Sequence, residues 1–119
     1  IFKFPMQGER SKGIKNMQIF CFDMMLMRLC AKRRMGPGFL IHDSHLFDAI
    51  DGRQIASCLN IGARLAEQHR FQYIVTLNSD FIDLVEAQSD GAFDAEPYIV
   101  SPRLTDATDD GGLFGFRFS

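Results

Sequence analysis

The sequence has little that would support a membrane, secreted or disordered protein. No apolar run reaches the roughly 18 residues that a spanning helix needs. The richest stretch, Met17 to Cys30, is interrupted by Gln18, Asp23 and Arg28. No apolar h-region of a signal peptide sits near the N-terminus. Cysteine is scarce: Cys21, Cys30 and Cys58 are odd in number and never form CxxC. This excludes a paired disulfide framework and argues against a cysteine zinc site. A reducing, cytoplasmic setting is expected. Four prolines and ten glycines are too few for a collagen or a low-complexity segment. There is no internal repeat. The phosphate-cradling pattern GxxxxGK[ST] is also missing throughout.

What is present reads as a globular domain. The chain has 119 residues, 46% hydrophobic and 24% charged, which suits one domain over 1–119. Such a domain buries about two-thirds of its unfolded surface. The first residue is Ile1 rather than methionine, so a piece of a longer protein is expected. The net charge of -2 conceals an asymmetry: residues 1–38 carry eight Lys/Arg against two acids, and residues 39–119 carry five against thirteen. Two readings stand. The basic part faces phosphates, or it is a solvated surface attracted to the acidic part. Basic and aromatic residues do not interleave as they do on a nucleic-acid surface.

Hydrophobic spacing predicts the elements. Ile1 to Phe4 alternates as a short strand, closed by Pro5. Residues 7–13 are polar and read as a loop. A helix is expected over 14–34, apolar on more than one side and therefore largely covered by neighbours. Lys32, Arg33 and Arg34 suit its C-terminal dipole, and Gly36-Pro37-Gly38 ends it. Phe39-Leu40-Ile41 is a buried strand leading to His42-Asp43. Residues 51–70 form an amphipathic helix carrying Ile55, Leu59, Ala63 and Ala66 on one side. Residues 71–77 form a second strand ending at Asn78-Ser79-Asp80. A helical turn follows over 81–87 and a loop over 88–96. Residues 98–105 and 113–118 read as paired strands around the turn signal Asp109-Asp110-Gly111-Gly112. The class is α/β: a mostly parallel sheet flanked by helices, with a C-terminal antiparallel hairpin.

In such sheets ligands gather at the carboxyl ends of the strands. Two ends are polar here, His42-Asp43-Ser44-His45 and Thr76-Leu77-Asn78-Ser79-Asp80. His42, Asp43, His45 and Asp48 are ligand types for zinc or manganese. They would suit a metal-dependent phosphohydrolase or nuclease, although their spacing matches no closed zinc pattern. His42 is equally readable as a satisfied core histidine. Asp51 is readable as the cap of its own helix and Ser11 as a capping or loop serine. Met17, Met24, Met25 and Met27 read as core filling, and the three cysteines as buried thiols. Asp109 and Asp110 read as a turn rather than a calcium loop.

A wider set of residues resembles an ABC-type ATPase. Phe39 to Asp43 is similar to a Walker B strand, whose terminal aspartate holds the water shell of Mg²⁺. Arg10-Ser11-Lys12-Gly13, ahead of a long helix, resembles the signature motif. Ala49-Ile50-Asp51 resembles the D-loop, and Asn78 stands at the switch position. Their order is that of the C-terminal half of an ABC ATPase head of the SMC-like branch. The strings SKGIKNMQIFCFDMMLMRL, GPGFLIHDSHLFD, FQYIVTLNSD and RLTDATDDGGLFGFRF resemble the bacterial domain of unknown function family 2326. That family occurs at the C-terminus of SMC-like proteins, with a P-loop and a coiled coil upstream.

The resemblance implies several roles. Ser11, Lys12 and Gly13 contact nucleotide in trans, Asp43 positions Mg²⁺ through water, and Asp51 acts across a head dimer. It implies ATP and Mg²⁺ as cofactors of the complete protein, with neither held tightly by these residues alone. The implied partners are the N-terminal P-loop lobe of the same protein and a second head. DNA is a candidate partner and a membrane is not. The sequence departs from the pattern in three places. Ser44 stands where a glutamate activates water, with His45 next to it as the substitute base. The switch histidine is absent, and Lys12 replaces a common glycine. A non-catalytic interaction module derived from this fold accommodates the same departures. A lobe of this kind is expected to expose an apolar surface where its missing counterpart docks, and so to self-associate.

Overall fold

A computed structural model describes residues 8–101 and 103–116. The strand expected over residues 1–4 lies outside them. The order is α1 (Gly8–Lys32), β1 (Phe39–Asp43), a 3₁₀ turn (Ser44–Phe47), α2 (Gly52–His69), β2 (Gln72–Thr76), α3 (Ser79–Gln88) and a second 3₁₀ turn (Glu96–Tyr98). β1 and β2 pair in parallel, with Phe39 opposite Gln72 and Asp43 opposite Thr76. α2 is the crossover that a parallel pair requires. The chain is therefore mixed helix and strand, with a two-stranded parallel sheet.

α1 begins earlier than the polar composition of residues 7–13 suggests. Ser11 and Gly13 are buried, and packing here outweighs the loop-like sequence. A side chain at Gly13 would collide with the carbonyl oxygen of Ala49, so the glycine lets helix and loop approach closely. Ala49 itself has φ +60°. Phe20, Met24 and Met27 continue the buried stripe at helical spacing. The opposite side of α1 is not covered: Ile19, Met25, Leu26 and Leu29 are exposed. This corrects the expectation of a helix largely surrounded by neighbours. α1 ends at Lys32, and Arg34 follows in the left-handed region at φ 52°.

The two faces of the sheet differ. Leu40, Tyr73 and Val75 pack into the core beneath the helices, and His42 is buried among them. Tyr73 lies against α2 at Gly62, where a Cβ would strike its ring. The residues between them point the other way, as strand alternation dictates. Phe39, Ile41 and Ile74 leave that second face open, with Ile41 55% exposed. The core proper gathers Phe47, Ile55, Cys58 and Val85 where α2, α3 and the first 3₁₀ turn meet.

The C-terminal hairpin is not formed among the described residues. Among the described residues, 99–116 contain no strand; residues 117 and 118 lie outside them. Instead Thr105 N–H donates to the Gly111 carbonyl at 2.8 Å, and Thr105 Oγ1 accepts from Ala107 N–H. The turn residues do make a turn, but Pro102 has no N–H to give a ladder, and Gly111, Gly112 and Gly115 favour other backbone shapes. Cys21 is exposed and Cys30 half-buried, so of the three thiols Cys58 alone is buried. Burial pushes the Cys58 thiol up to about 11.

Candidate functional site at the carboxyl edge of the sheet

The polar residues singled out by the sequence gather at one edge. Asp43 is the last residue of β1 and sits beside Thr76, the last residue of β2. Its Oδ1 accepts from Thr76 Oγ1 at 2.9 Å, from Ser44 N–H at 2.7 Å and from Ser44 Oγ at 3.4 Å. The Thr76 hydroxyl first, then the Ser44 amide, holds this carboxyl below its ordinary value. Asp43 is thus an exposed, ionised and oriented carboxylate. The same bonds cap the 3₁₀ turn that begins at Ser44.

That turn carries His45 and Asp48 back toward α1. His45 Nδ1 lies 3.4 Å from Asp48 Oδ2, and Lys12 Nζ donates to the same oxygen at 3.3 Å. The His45 ring nitrogen first, then the Lys12 ammonium, holds the Asp48 carboxyl low. Asn16 Nδ2 donates to the carbonyls of His45 and Asp48. Lys12, Gly13 and Asn16 therefore anchor the start of α1 to the loop that follows Asp43. Ser11 is 4% exposed, and its Oγ is the one buried side-chain polar atom without a hydrogen bond among the described residues.

Asp51 does cap α2, accepting from Gln54 N–H at 3.0 Å. It also borders a shallow depression with Arg53, Gln54 and Ser57. Asn78 precedes α3 and is exposed, and its side chain makes no capping bond.

His42 is engaged elsewhere. Its Nε2 lies 2.8 Å from Asp23 Oδ2 and its Nδ1 2.7 Å from the Tyr73 hydroxyl. With Asp23 as acceptor, a neutral ring donates from Nε2 and accepts the Tyr73 proton at Nδ1. Burial raises the Tyr73 phenol well above its ordinary value, so it remains a donor. His42 and Asp43, one residue apart on a strand, point to opposite faces. The HDSH cluster is therefore not brought together, and among the described residues no three His, Cys, Asp or Glu side chains form a metal-holding group. Sequence reasoning missed the Asp23–His42–Tyr73 chain. Its signal was the buried alternation of β1, which turns residue 42 inward and residue 43 outward.

For Mg²⁺ held through water, the chemistry of Asp43 fits. One exposed carboxylate has its Oδ1 fixed by three donors, and its Oδ2 takes part in none of those bonds. No helix among the described residues is long and apolar enough to cross a membrane.

Comparison with known proteins agrees with the family resemblance. The model of a bacterial family described as an uncharacterised protein conserved in bacteria (DUF2326) matches residues 1–118. No curated protein and no solved structure matches the chain. The match spans nearly the whole length, and the chain belongs to the DUF2326 family.

Proposed function

We propose that this domain is the C-terminal lobe of an SMC-like, ABC-type ATPase head, acting in ATP-gated head dimerisation with a P-loop lobe outside this sequence. One observation carries the reading: the Ser11–Lys12–Gly13 segment of α1 is docked on the Asp48–Asp51 loop, which is one 3₁₀ turn beyond the strand-tip carboxylate Asp43. The signature-like, Walker B-like and D-loop-like segments thus share one edge, although nothing in their sequence separation requires it.

Mg²⁺, when bound, neutralises phosphate charge. The chain's own residues supply the rest. Asp43 orients the water shell of the ion through a carboxylate that Thr76 and Ser44 hold still. Lys12 places a cation at the start of α1, where the helix dipole also favours an anion. Ser11 Oγ has no hydrogen-bond partner among the described residues, and because it is buried, α1 would have to shift for it to meet a nucleotide. Asn78 presents a free amide, which serves a phosphate oxygen better than Leu77 would. Ser44 is a poor base. His45, oriented through Nδ1 by Asp48, is the residue placed to accept a proton from water. The open apolar face of the sheet, with Phe39, Ile41 and Ile74, is where the P-loop lobe docks.

The test is MgATP-dependent dimerisation of the complete protein, read by light scattering. Asp43→Asn is expected to abolish it while lowering the thermal midpoint only slightly. Ser11→Ala is expected to weaken it too, yet to stabilise the fold by about 1 kcal/mol, because an unsatisfied buried hydroxyl is removed. Dimerisation that survives Asp43→Asn sinks the nucleotide reading. It leaves the second one, a non-catalytic interaction module, which the serine at position 44 and the open apolar face favour.

A further inference from the structure

The opposite edge of the sheet carries a feature that the nucleotide reading does not use. α1 and α2 both run from the carboxyl edge back to the start of a strand, and both end there. Arg28, Lys32, Arg33 and Arg34 lie in and just after the last turns of α1. Arg70 follows α2 directly. The two chain ends meet where Gln72 N–H donates to the Gly38 carbonyl at 2.9 Å. All five cations are exposed, and none makes an ion pair among the described residues. In these helix ends, Glu67 is the one acid set against them. Arg34 and Arg70 both adopt left-handed backbone at the helix ends, with φ of 52° and 56°.

We propose that this edge binds the sugar-phosphate backbone of a nucleic acid. Four of the five cations are arginines, whose planar fork matches phosphate oxygens in a bidentate way. They come from two helix ends flanking a sheet edge and so form a rim. Binding at a membrane surface instead uses the flank of one amphipathic helix lying flat. The inference stands apart from the nucleotide reading, because none of its residues belongs to the carboxyl edge.

The test is fluorescence anisotropy of the protein with labelled duplex and single-stranded DNA across a salt series. Four or five phosphate contacts predict an affinity that falls about 150- to 500-fold on duplex DNA, and about 50- to 130-fold on single strands, between about 50 and 200 mM salt. The Arg33→Glu, Arg34→Glu double variant is expected to lose at least about tenfold and to show a shallower salt slope. The matched charge control, Arg53→Glu with Arg64→Glu, is expected to lose far less. Tighter binding in the duplex or the single-strand arm tells which form the rim holds. Four results would overturn the proposal: no binding at low salt, binding unchanged by the Arg33/Arg34 variant, an equal loss in the control, or a variant that loses binding to phosphatidylserine vesicles but not to DNA. Circular dichroism of each variant shows whether the fold is retained, as exposed positions predict.

Discussion

The two faces of the β1–β2 pair share a backbone and little else. On the covered face, Leu40, His42, Tyr73 and Val75 lie under α1 and α2, and even the polar ring of His42 is bonded on both sides. On the open face, Phe39, Ile41 and Ile74 are as apolar as a core yet meet no layer. A two-stranded sheet is marginal by itself. Here one helical layer suffices to hold it, and the second face remains available for another body. The contrast shows why composition alone misjudges burial: a continuous apolar run puts apolar residues on both faces, and only tertiary packing decides which face is filled.

Substitutions sharpen the contrast in graded steps. Phe47, 1% exposed in the core, has the most to lose. Phe47→Ala is expected to destabilise the domain by about 3–5 kcal/mol through a cavity, seen as a lower urea midpoint. Next comes Tyr73→Phe, which leaves His42 Nδ1 without its hydrogen-bond partner. A loss of about 1–2 kcal/mol is expected on the same denaturation curve. On the open face, Ile41→Lys with Ile74→Lys is expected to change stability by less than about 0.5 kcal/mol. If the open face drives self-association, the same pair should remove it in light scattering. A large loss of stability there, or no change in association, would break the comparison of the faces.

The smallest effect is the pH dependence of the carboxyl edge. Asp43 and Asp48 both have folded-state values below the unfolded 3.8. Each therefore contributes stability above roughly pH 4, and that contribution disappears as the pH falls through the folded value. Both side chains are solvated, so added salt is expected to shrink this acid limb of a stability profile.

Much of the middle of the chain was legible. The run Phe39–Ile41, the helix carrying Ile55 and Leu59, and the strand before Asn78 stand where spacing places them, and Asp51 caps the helix it precedes. These elements have strong local periods. The first helix was less legible, because Ser11 and Gly13 are buried by a loop distant in sequence and not by any pattern of their own. Its far side was misjudged for the opposite reason: Leu26 and Leu29 look like core residues but meet no layer. The hairpin failed because turn residues specify a reversal, not the ladder that must flank it. Asp43 and Asp48 were singled out by the carboxyl-end rule, and Asp51 as a cap, but that Lys12 and Gly13 pack against the loop after Asp43 depends on tertiary contacts that no local pattern encodes. The partners of His42 come from α1 and β2, so the identity of the residue alone gave no access to them.

The Asp23–His42–Tyr73 chain also has a mechanical meaning. It fastens α1 to both strands near the middle of a long rod. At about 1.5 Å per residue, Lys12 lies roughly 16 Å from that fastening in one direction, and Lys32 roughly 13 Å in the other. The rod is a nearly balanced lever with Asp23 as its fulcrum. A tilt of α1 at the carboxyl edge therefore moves the arginine rim by a comparable amount in the opposite sense.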